Sequence, residues 1–301
     1  MKISVALCTY NGEKFLQSQL DSILNQSIAV DEIVVCDDCS TDETLQILEN
    51  YSEKHPSIFK IHQNQDNLGY RKNFEQAINH CTGELIFLCD QDDIWLENKV
   101  KQIVNIASQK SNKSVFLHKI DLLLEDNTIS PISFWDLENF NPNFNDEDIL
   151  RYLLFHRNVF PGMSMVINQK AKTQYLPLTS KQAKTIHDYE ILLKAGRDQQ
   201  LCIVNTVLAH YRIHNQQNIG FDHTSISIQQ ETLNSIYGKI KMIDWVKNSI
   251  IEFNLDPKLL SEYKLKCKAD YKKFILNLSF PKNLITHLKA KYYYKILNEL
   301  S

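Results

Sequence analysis

Three carboxylates follow directly on one apolar run. Leu85-Ile86-Phe87-Leu88-Cys89 is succeeded by Asp90-Gln91-Asp92-Asp93-Ile94-Trp95. Acids crowded this closely raise one another's pKa unless a cation sits among them, so a bound divalent ion is the simplest way to keep them ionised. Oxygen ligands of this kind suit Mg2+ or Mn2+, which keep waters and take further ligands from a substrate's phosphates. The alternative is capping, with Asp92 or Asp93 at the N-terminus of a helix beginning near Trp95. Capping accounts for one aspartate and leaves the others unexplained.

An apolar run ending in charge is the carboxyl end of a buried strand, and the chain repeats that pattern. Ile3 to Leu7 leads through Thr9-Tyr10-Asn11-Gly12 into a helix from about Glu13 to Asn25. Glu32-Ile33-Val34-Val35-Cys36 ends at Asp37-Asp38 and restarts as a helix capped around Ser40 or Thr41. Phe59-Lys60-Ile61-His62 precedes Asn67-Leu68-Gly69 and a helix carrying Phe74, Ala77 and Ile78. Strands alternating with helices at this spacing predict an α/β fold, a parallel sheet covered on both faces with right-handed crossovers. Ligands bind outside the carboxyl ends of such strands, where Thr9-Tyr10-Asn11, Asp37-Asp38 and Asp90-Gln91-Asp92 converge. Neither Gly-x-Gly-x-x-Gly nor a Walker-type Gly-Lys-Ser/Thr occurs, which removes dinucleotide dehydrogenases and P-loop NTPases.

Beyond Trp95 a helix runs to about Ser108 and a strand from Ser114 to Leu124. Ile129 to Asp146 is aromatic and turn-rich, a flexible loop beside the site or a packed surface meander. Pro161 to Ile167 reads as a turn and strand, and Ile186-His187-Asp188 starts a helix ended by Gly196. A last strand, Leu201 to Leu208, precedes His210-Tyr211-Arg212-Ile213-His214. After Gly220 the pattern turns to long helices rich in lysine and tyrosine, so residues 1–220 form the main domain and 221–301 a helical C-terminal extension.

At 301 residues and 43% hydrophobic content the chain can bury a full core. A net charge of -3 offers no basic excess for nucleic acid. No run of eighteen apolar residues and no cleavable signal pattern after Met1-Lys2 is present, so a cytoplasmic protein is expected. The 7 cysteines are odd in number and mostly lie in apolar runs, as small core residues do. Cys36 and Cys39 have redox or zinc spacing, but no second pair completes four ligands. Lys264, Lys266, Lys268, Lys272 and Lys273, with Lys289, Lys291, Tyr292, Tyr293, Tyr294 and Lys295, would suit an anionic lipid surface, giving peripheral contact with the inner face of the cell membrane. A solvated face or a homodimer contact are the alternatives.

The ordered set of Leu7-Cys8-Thr9-Tyr10-Asn11-Gly12, Cys36-Asp37-Asp38-Cys39-Ser40-Thr41-Asp42, Asn67-Leu68-Gly69 with Asn73-Phe74, Asp90-Gln91-Asp92-Asp93-Ile94-Trp95, His187-Asp188 and Tyr211-Arg212-Ile213-His214 resembles the family 2 glycosyltransferases, inverting enzymes, and among them the rhamnosyltransferase-like group. The resemblance covers roughly residues 1 to 220. It implies a GT-A (Rossmann-like) fold with a mostly parallel, mixed sheet covered by helices. It implies nucleotide-sugar contacts at Thr9, Tyr10, Glu13, Asp38, Asp90 and Gln91, and more loosely at Arg71 and Asn73, for which a solvated helix face is the alternative. Asp92 and His214 fall where the family holds metal and diphosphate, and Asp188 falls on the catalytic base, with an N-cap as its alternative role. His187 and His210 read as structural. The Gln-x-x-Arg-Trp signature of the processive synthases is missing, so one sugar or few should be added per encounter.

The function implied is metal-assisted transfer of a sugar from a UDP- or dTDP-sugar, dTDP-rhamnose among them, to a hydroxyl of a cell-surface glycan or lipid-linked oligosaccharide, as in lipopolysaccharide synthesis. A sugar nucleotidyltransferase would share the nucleotide site but show a Gly-rich basic N-terminal loop, which Thr9 to Gly12 is not. A noncatalytic nucleotide-sugar-binding module would need no base opposite the metal.

Overall fold

The computed structural model describes residues 1–214 and 233–276. The chain divides into two compact units, one of Met1–Leu153 with Asn158–Gly220, the other of Leu154–Arg157 with Phe221–Ser301.

The first unit alternates strands and helices, as the apolar runs require. In order it holds β1 (Ile3–Thr9), α1 (Leu16–Leu24), β2 (Glu32–Asp37), α2 (Thr44–Lys54), β3 (Phe59–Gln63), α3 (Tyr70–His80), β4 (Leu85–Cys89) and β5 (Ile94–Trp95). There follow α4 (Lys99–Gln109), β6 (Val115–Leu123), α5 (Phe134–Leu137), α6 (Asp146–Phe155), a 3-10 turn at Gly162–Ser164, β7 (Met165–Asn168), α7 (Gln169–Tyr175), α8 (His187–Arg197) and β8 (Leu201–Arg212). One sheet takes the order β3-β2-β1-β4-β7-β6-β8-β5. β3, β2, β1 and β4 run parallel, β7 is antiparallel to both neighbours, β6 and β8 are parallel, and β5 is antiparallel to β8. β1, β2 and β4 are buried along their whole length, which is why they read as continuous rather than alternating apolar runs.

Local structure departs from the sequence pattern in several places. Trp95 belongs to a two-residue strand, its ring 5.5 Å from that of Phe87, and the helix begins only at Lys99 behind Asn98 as N-cap. Asp92 and Asp93 therefore cap no helix. The start of α1 is likewise later than expected, because Thr9 to Phe15 is spent on a loop. The aromatic stretch from Ile129 to Asp146 is packed rather than open: Trp135 and Phe140 are buried, meeting Phe160 edge-on at 5.6 Å and 5.0 Å. Among the described residues all seven cysteines are free thiols, and most are buried.

The second unit contains α9 (Leu233–Glu252) and α10 (Lys258–Leu276). Leu259, Tyr263, Cys267 and Tyr271, four residues apart, form the buried stripe of α10. Lys264, Lys266, Lys268, Lys272 and Lys273 lie off that stripe, Lys266 within 3.8 Å of Asp270. Residues 289–295 lie outside the described residues.

One buried carboxylate fastens the amino ends of the strands. Glu32, 1% exposed, accepts from Ser4 Oγ at 2.5 Å, the Thr82 N–H at 2.6 Å and Lys60 Nζ at 2.6 Å. Burial opposes its ionisation, but the bonds from Lys60, Ser4 and Thr82 outweigh it and hold the carboxyl down to about 2. A depressed folded-state pKa stabilises above the unfolded value and is lost as pH falls through the folded one. Since Lys60 is half exposed, Glu32→Gln is expected to cost about 2 kcal/mol at pH 7. In urea melts that difference should fade between pH 4.5 and about 2.

Candidate functional site

Thr9 and Asp37, at register in neighbouring parallel strands, are linked by a bond from Thr9 Oγ1 to Asp37 Oδ1 at 2.8 Å. Just beyond them the chain abandons strand geometry, and its backbone donors are satisfied by side chains from the facing loop. The N–H groups of Asn11, Gly12 and Glu13 go to Ser40 Oγ, Thr44 Oγ1 and Asp42 Oδ2. Asn11 Oδ1 accepts from the Thr41 N–H, and Glu13 Oε2 accepts from the Glu43 N–H. Gln91 joins the next strand, its amide accepting from the Tyr10 N–H at 2.8 Å and donating to the Tyr10 carbonyl at 3.0 Å. This clasp requires Gly12, where a Cβ would lie 2.3 Å from Gln91 Oε1.

Several residues expected to touch a nucleotide are thus engaged within the protein. Thr9, Glu13 and Gln91 shape the loop, and the Tyr10 side chain is exposed at its tip. Asp38 accepts from the Leu68 N–H at 2.7 Å, the Gly69 N–H at 2.8 Å and Asn64 Nδ2 at 2.8 Å. It holds the Asn67-Leu68-Gly69 segment, where Gly69 at φ 76 occupies a conformation that favours glycine. Asn73 donates to the Cys36 carbonyl and accepts from Asn64, so its buried amide braces α3 against β2. Arg71 reaches α8, donating to Glu190 Oε2 at 2.5 Å and to the Ser180 carbonyl. For neither residue does a solvated helix face describe the surroundings.

The acidic cluster closes the sheet edge. Asp90 is half-buried, and burial first, then Asp92 and Asp188, push its carboxyl up to about 8. Asp93 is fully buried and raised well above the usual range by burial and by Asp92 and Asp90, although its Oδ1 accepts the Arg212 N–H at 3.0 Å. Asp92 Oδ2 lies 2.9 Å from His214 Nε2. Arg212 crosses beneath, donating from Nε to the Asp92 carbonyl, with its guanidinium 4.7 Å from the Phe15 ring. Lys99 lies wholly buried below, its Nζ 2.7 Å from the Met163 carbonyl and 4.0 Å from the Trp95 ring. Burial pulls its pKa down to about 7 against the raising influence of Cys89, Asp93 and Asp90.

Asp188 is the second residue of α8, behind an N-cap at Ile186, and its Oδ1 accepts the Tyr189 N–H at 2.5 Å. It is 2% exposed, and burial pushes its carboxyl up to about 7 against the bonds from the Tyr189 and Gly162 N–H groups and the Asn158 side chain. The Gly162–Ser164 turn lies beside Asp90, and Lys99 tethers its Met163 carbonyl. Glu190, a further acid on the helix, is consumed by Arg71, Lys194 and the Thr179 and Ser180 N–H groups.

Among the described residues no group of three or more His, Cys, Asp and Glu side chains is arranged to hold a metal ion. Asp92 and His214 together offer one oxygen and one imidazole nitrogen, a partial shell that fits Mg2+ or Mn2+ when phosphate oxygens and water supply the rest. Lys99, Gly162 and Asn158 escaped sequence reasoning. Only Lys99 left a signal, since it shares the helical face of Ile103 and Ala107, both buried.

The family model described as glycosyl transferase family 2 matches residues 4–172. An uncharacterized glycosyltransferase of Haemophilus influenzae is 26% identical over 255 residues, 82% of this chain and 78% of that one. A dTDP-rhamnosyl transferase of Shigella flexneri, RfbG, is 38% identical over 103 residues, 33% of this chain and 36% of that one. Among solved structures, Staphylococcus aureus TarS 1-349 in complex with UDP-GlcNAc is similar with a TM-score of 0.61 and 20% identity, over 96% of this chain and 79% of that one. That likeness shows a shared GT-A fold.

Replacing Asp38 by alanine leaves the Leu68 N–H without its acceptor and the Gly69 N–H with only Asn67 Oδ1, 3.1 Å away. A loss of about 2 kcal/mol is expected. Hydrogen exchange should show those two amides losing protection beyond the global change.

Proposed function

Because the chain belongs to glycosyl transferase family 2, we propose that this enzyme moves one sugar from a nucleoside-diphosphate donor to a hydroxyl of a cell-surface glycan acceptor and inverts the anomeric carbon. The observation that carries the reading is the pairing of Asp90 with Asp188, close enough that the charge of Asp188 raises the Asp90 carboxyl, beside the Gly162–Ser164 turn. One belongs to the strand edge where α/β folds take their ligand, the other faces it from α8.

In this reading Asp188 is the general base. With its carboxyl near 7, it can take the acceptor's proton as the hydroxyl attacks and still be ionised at neutral pH. Asp90 serves the donor beside it. Tyr10 offers its exposed ring to the nucleoside, on a loop that Thr9, Glu13 and Gln91 keep in shape, while Asp38 holds the Asn67-Leu68-Gly69 segment and Asn73 and Arg71 fix α3. Asp92 and His214 would hold Mg2+ or Mn2+, which supplies positive charge to the leaving diphosphate. Arg212 adds a fixed cation alongside.

The dTDP-rhamnosyl transferase supports a dTDP-sugar, dTDP-rhamnose among them, and the fold shared with a UDP-GlcNAc complex is compatible with a UDP-sugar. A lipid-linked oligosaccharide would satisfy the acceptor role, with the lysines of α10 resting on the membrane surface. No helix among the described residues is long and apolar enough to cross a membrane.

Two variants test the two sides. Asp92→Ala is expected to weaken Mn2+-dependent binding of UDP or dTDP by about tenfold or more in calorimetry, while affinity without metal stays unchanged. Equal affinity with Mn2+ would remove Asp92 from the metal site. Asp188→Asn is expected to keep donor affinity but lose roughly 10²- to 10⁴-fold in turnover. In the wild type kcat/KM should fall as pH drops through about 7, the carboxylate becoming protonated and unable to act as base, and that limb should vanish from the variant's residual activity. Undiminished turnover in Asp188→Asn excludes it as base.

A further inference from the structure

Phe15 stands at the N-cap of α1 and makes no capping bond there. The position favours serine, threonine, aspartate or asparagine, whose side chains accept a free N–H of the first turn, so phenylalanine gives up a local stabilisation. Half-buried, its ring lies instead against the end of β8 and the residues just beyond. The His214 ring is 4.7 Å away with planes at 46°, and the Arg212 guanidinium is 4.7 Å from the Phe15 centroid. An aromatic ring attracts a cation and the polar edge of an imidazole, which an aliphatic side chain does not. Arg212 is held in addition by the Asp92 carbonyl and Asn127 Oδ1, so its place does not depend on the ring.

The same helix grips the segment that carries Asp92. Ser22 Oγ accepts the Trp95 N–H at 3.0 Å, and Gln26, just past the helix, donates to the Leu96 carbonyl at 2.9 Å. Opposite, the backbone after β8 is fixed as far as Ile213, whose N–H goes to the Leu123 carbonyl. His214 comes next, its imidazole meeting Asp92 Oδ2 at 2.9 Å and the Phe15 ring. An ion taken by both Asp92 and His214 would stand in place of their direct contact, which leaves the ring to keep the imidazole turned toward Asp92. We infer that Phe15 is a positioning residue for the metal and diphosphate site, a ring carried on α1 that holds His214 in register with Asp92. This rests on the glycosyl-transfer reading above. The ring offers neither a ligand atom nor a proton, so its effect passes through His214.

Phe15→Leu keeps an apolar side chain and removes the ring, whereas Phe15→Tyr keeps the ring. In calorimetry on the full chain, Phe15→Leu is expected to bind UDP or dTDP about three- to tenfold more weakly with Mn2+, and within about twofold of wild type without it. Phe15→Tyr should stay near wild type in both conditions. In a His214→Ala background, Phe15→Leu should cost nothing further with Mn2+, because the ring then has no imidazole to hold. Unchanged affinity in Phe15→Leu, equal weakening with and without Mn2+, a loss that adds in full to that of His214→Ala, or a Phe15→Tyr as weak as Phe15→Leu overturns the inference. Should Phe15→Leu not fold, wild type labelled with 15N-histidine decides. The His214 ring signals, identified by their absence from His214→Ala, should keep the ring-current shift from Phe15 when Mg2+ and UDP or dTDP bind, and loss of that shift overturns the inference as well. Wild-type affinity indifferent to Mn2+ would instead bring down the metal site, and binding of neither nucleotide the glycosyl-transfer reading, each taking the role of Phe15 with it.

Discussion

The architecture of this site follows from one electrostatic constraint: Asp90, Asp92, Asp93 and Asp188 share a largely dry corner of the sheet edge. Left alone, such a group would bind protons at neutral pH, and the upward shifts of Asp90, Asp93 and Asp188 express that tendency. Fixed positive charge and oriented N–H groups oppose it. Lys99 lies buried below the cluster, Arg212 crosses beside it, and the N–H groups of Arg212 and Tyr189 donate to Asp93 and Asp188. A buried lysine is itself unfavourable, and its lowered pKa records that conflict. Its bond to the Met163 carbonyl turns the conflict into position, because it fixes the turn that lies beside Asp90.

The loops beyond β1 and β2 obey a different rule. Beyond the strand ends the backbone has lost its ladder partners, and the short polar side chains of one loop satisfy the donors of the next. Ser40, Asp42, Thr44 and Gln91 do this for residues 10–13, and Asp38 does it for residues 68–69. Residues that resemble nucleotide contacts consequently act first as braces. Their polar character gives the loops their shape and leaves the Tyr10 ring exposed.

The sequence by itself determined the alternation of buried strands and helices, the polar strand ends, the order of the acidic motifs and the membership of a transferase family. These are local properties: an apolar run, a capping residue or a cluster of aspartates can be read within a dozen residues. Only the tertiary structure decided what each polar residue faces. β7 slots antiparallel between β4 and β6, which sets the turn of Gly162–Ser164 beside Asp90. Residues as distant as Lys99 and Met163, or Arg71 and Glu190, become partners through that packing. The burial of the aromatic stretch after Ile129 and the two-residue strand at Trp95 were likewise set by neighbours far along the chain. A side chain's type states which bonds it can make; the partner's position, which fixes whether Asn73 meets a ligand or a backbone carbonyl, exists only once the sheet has assembled.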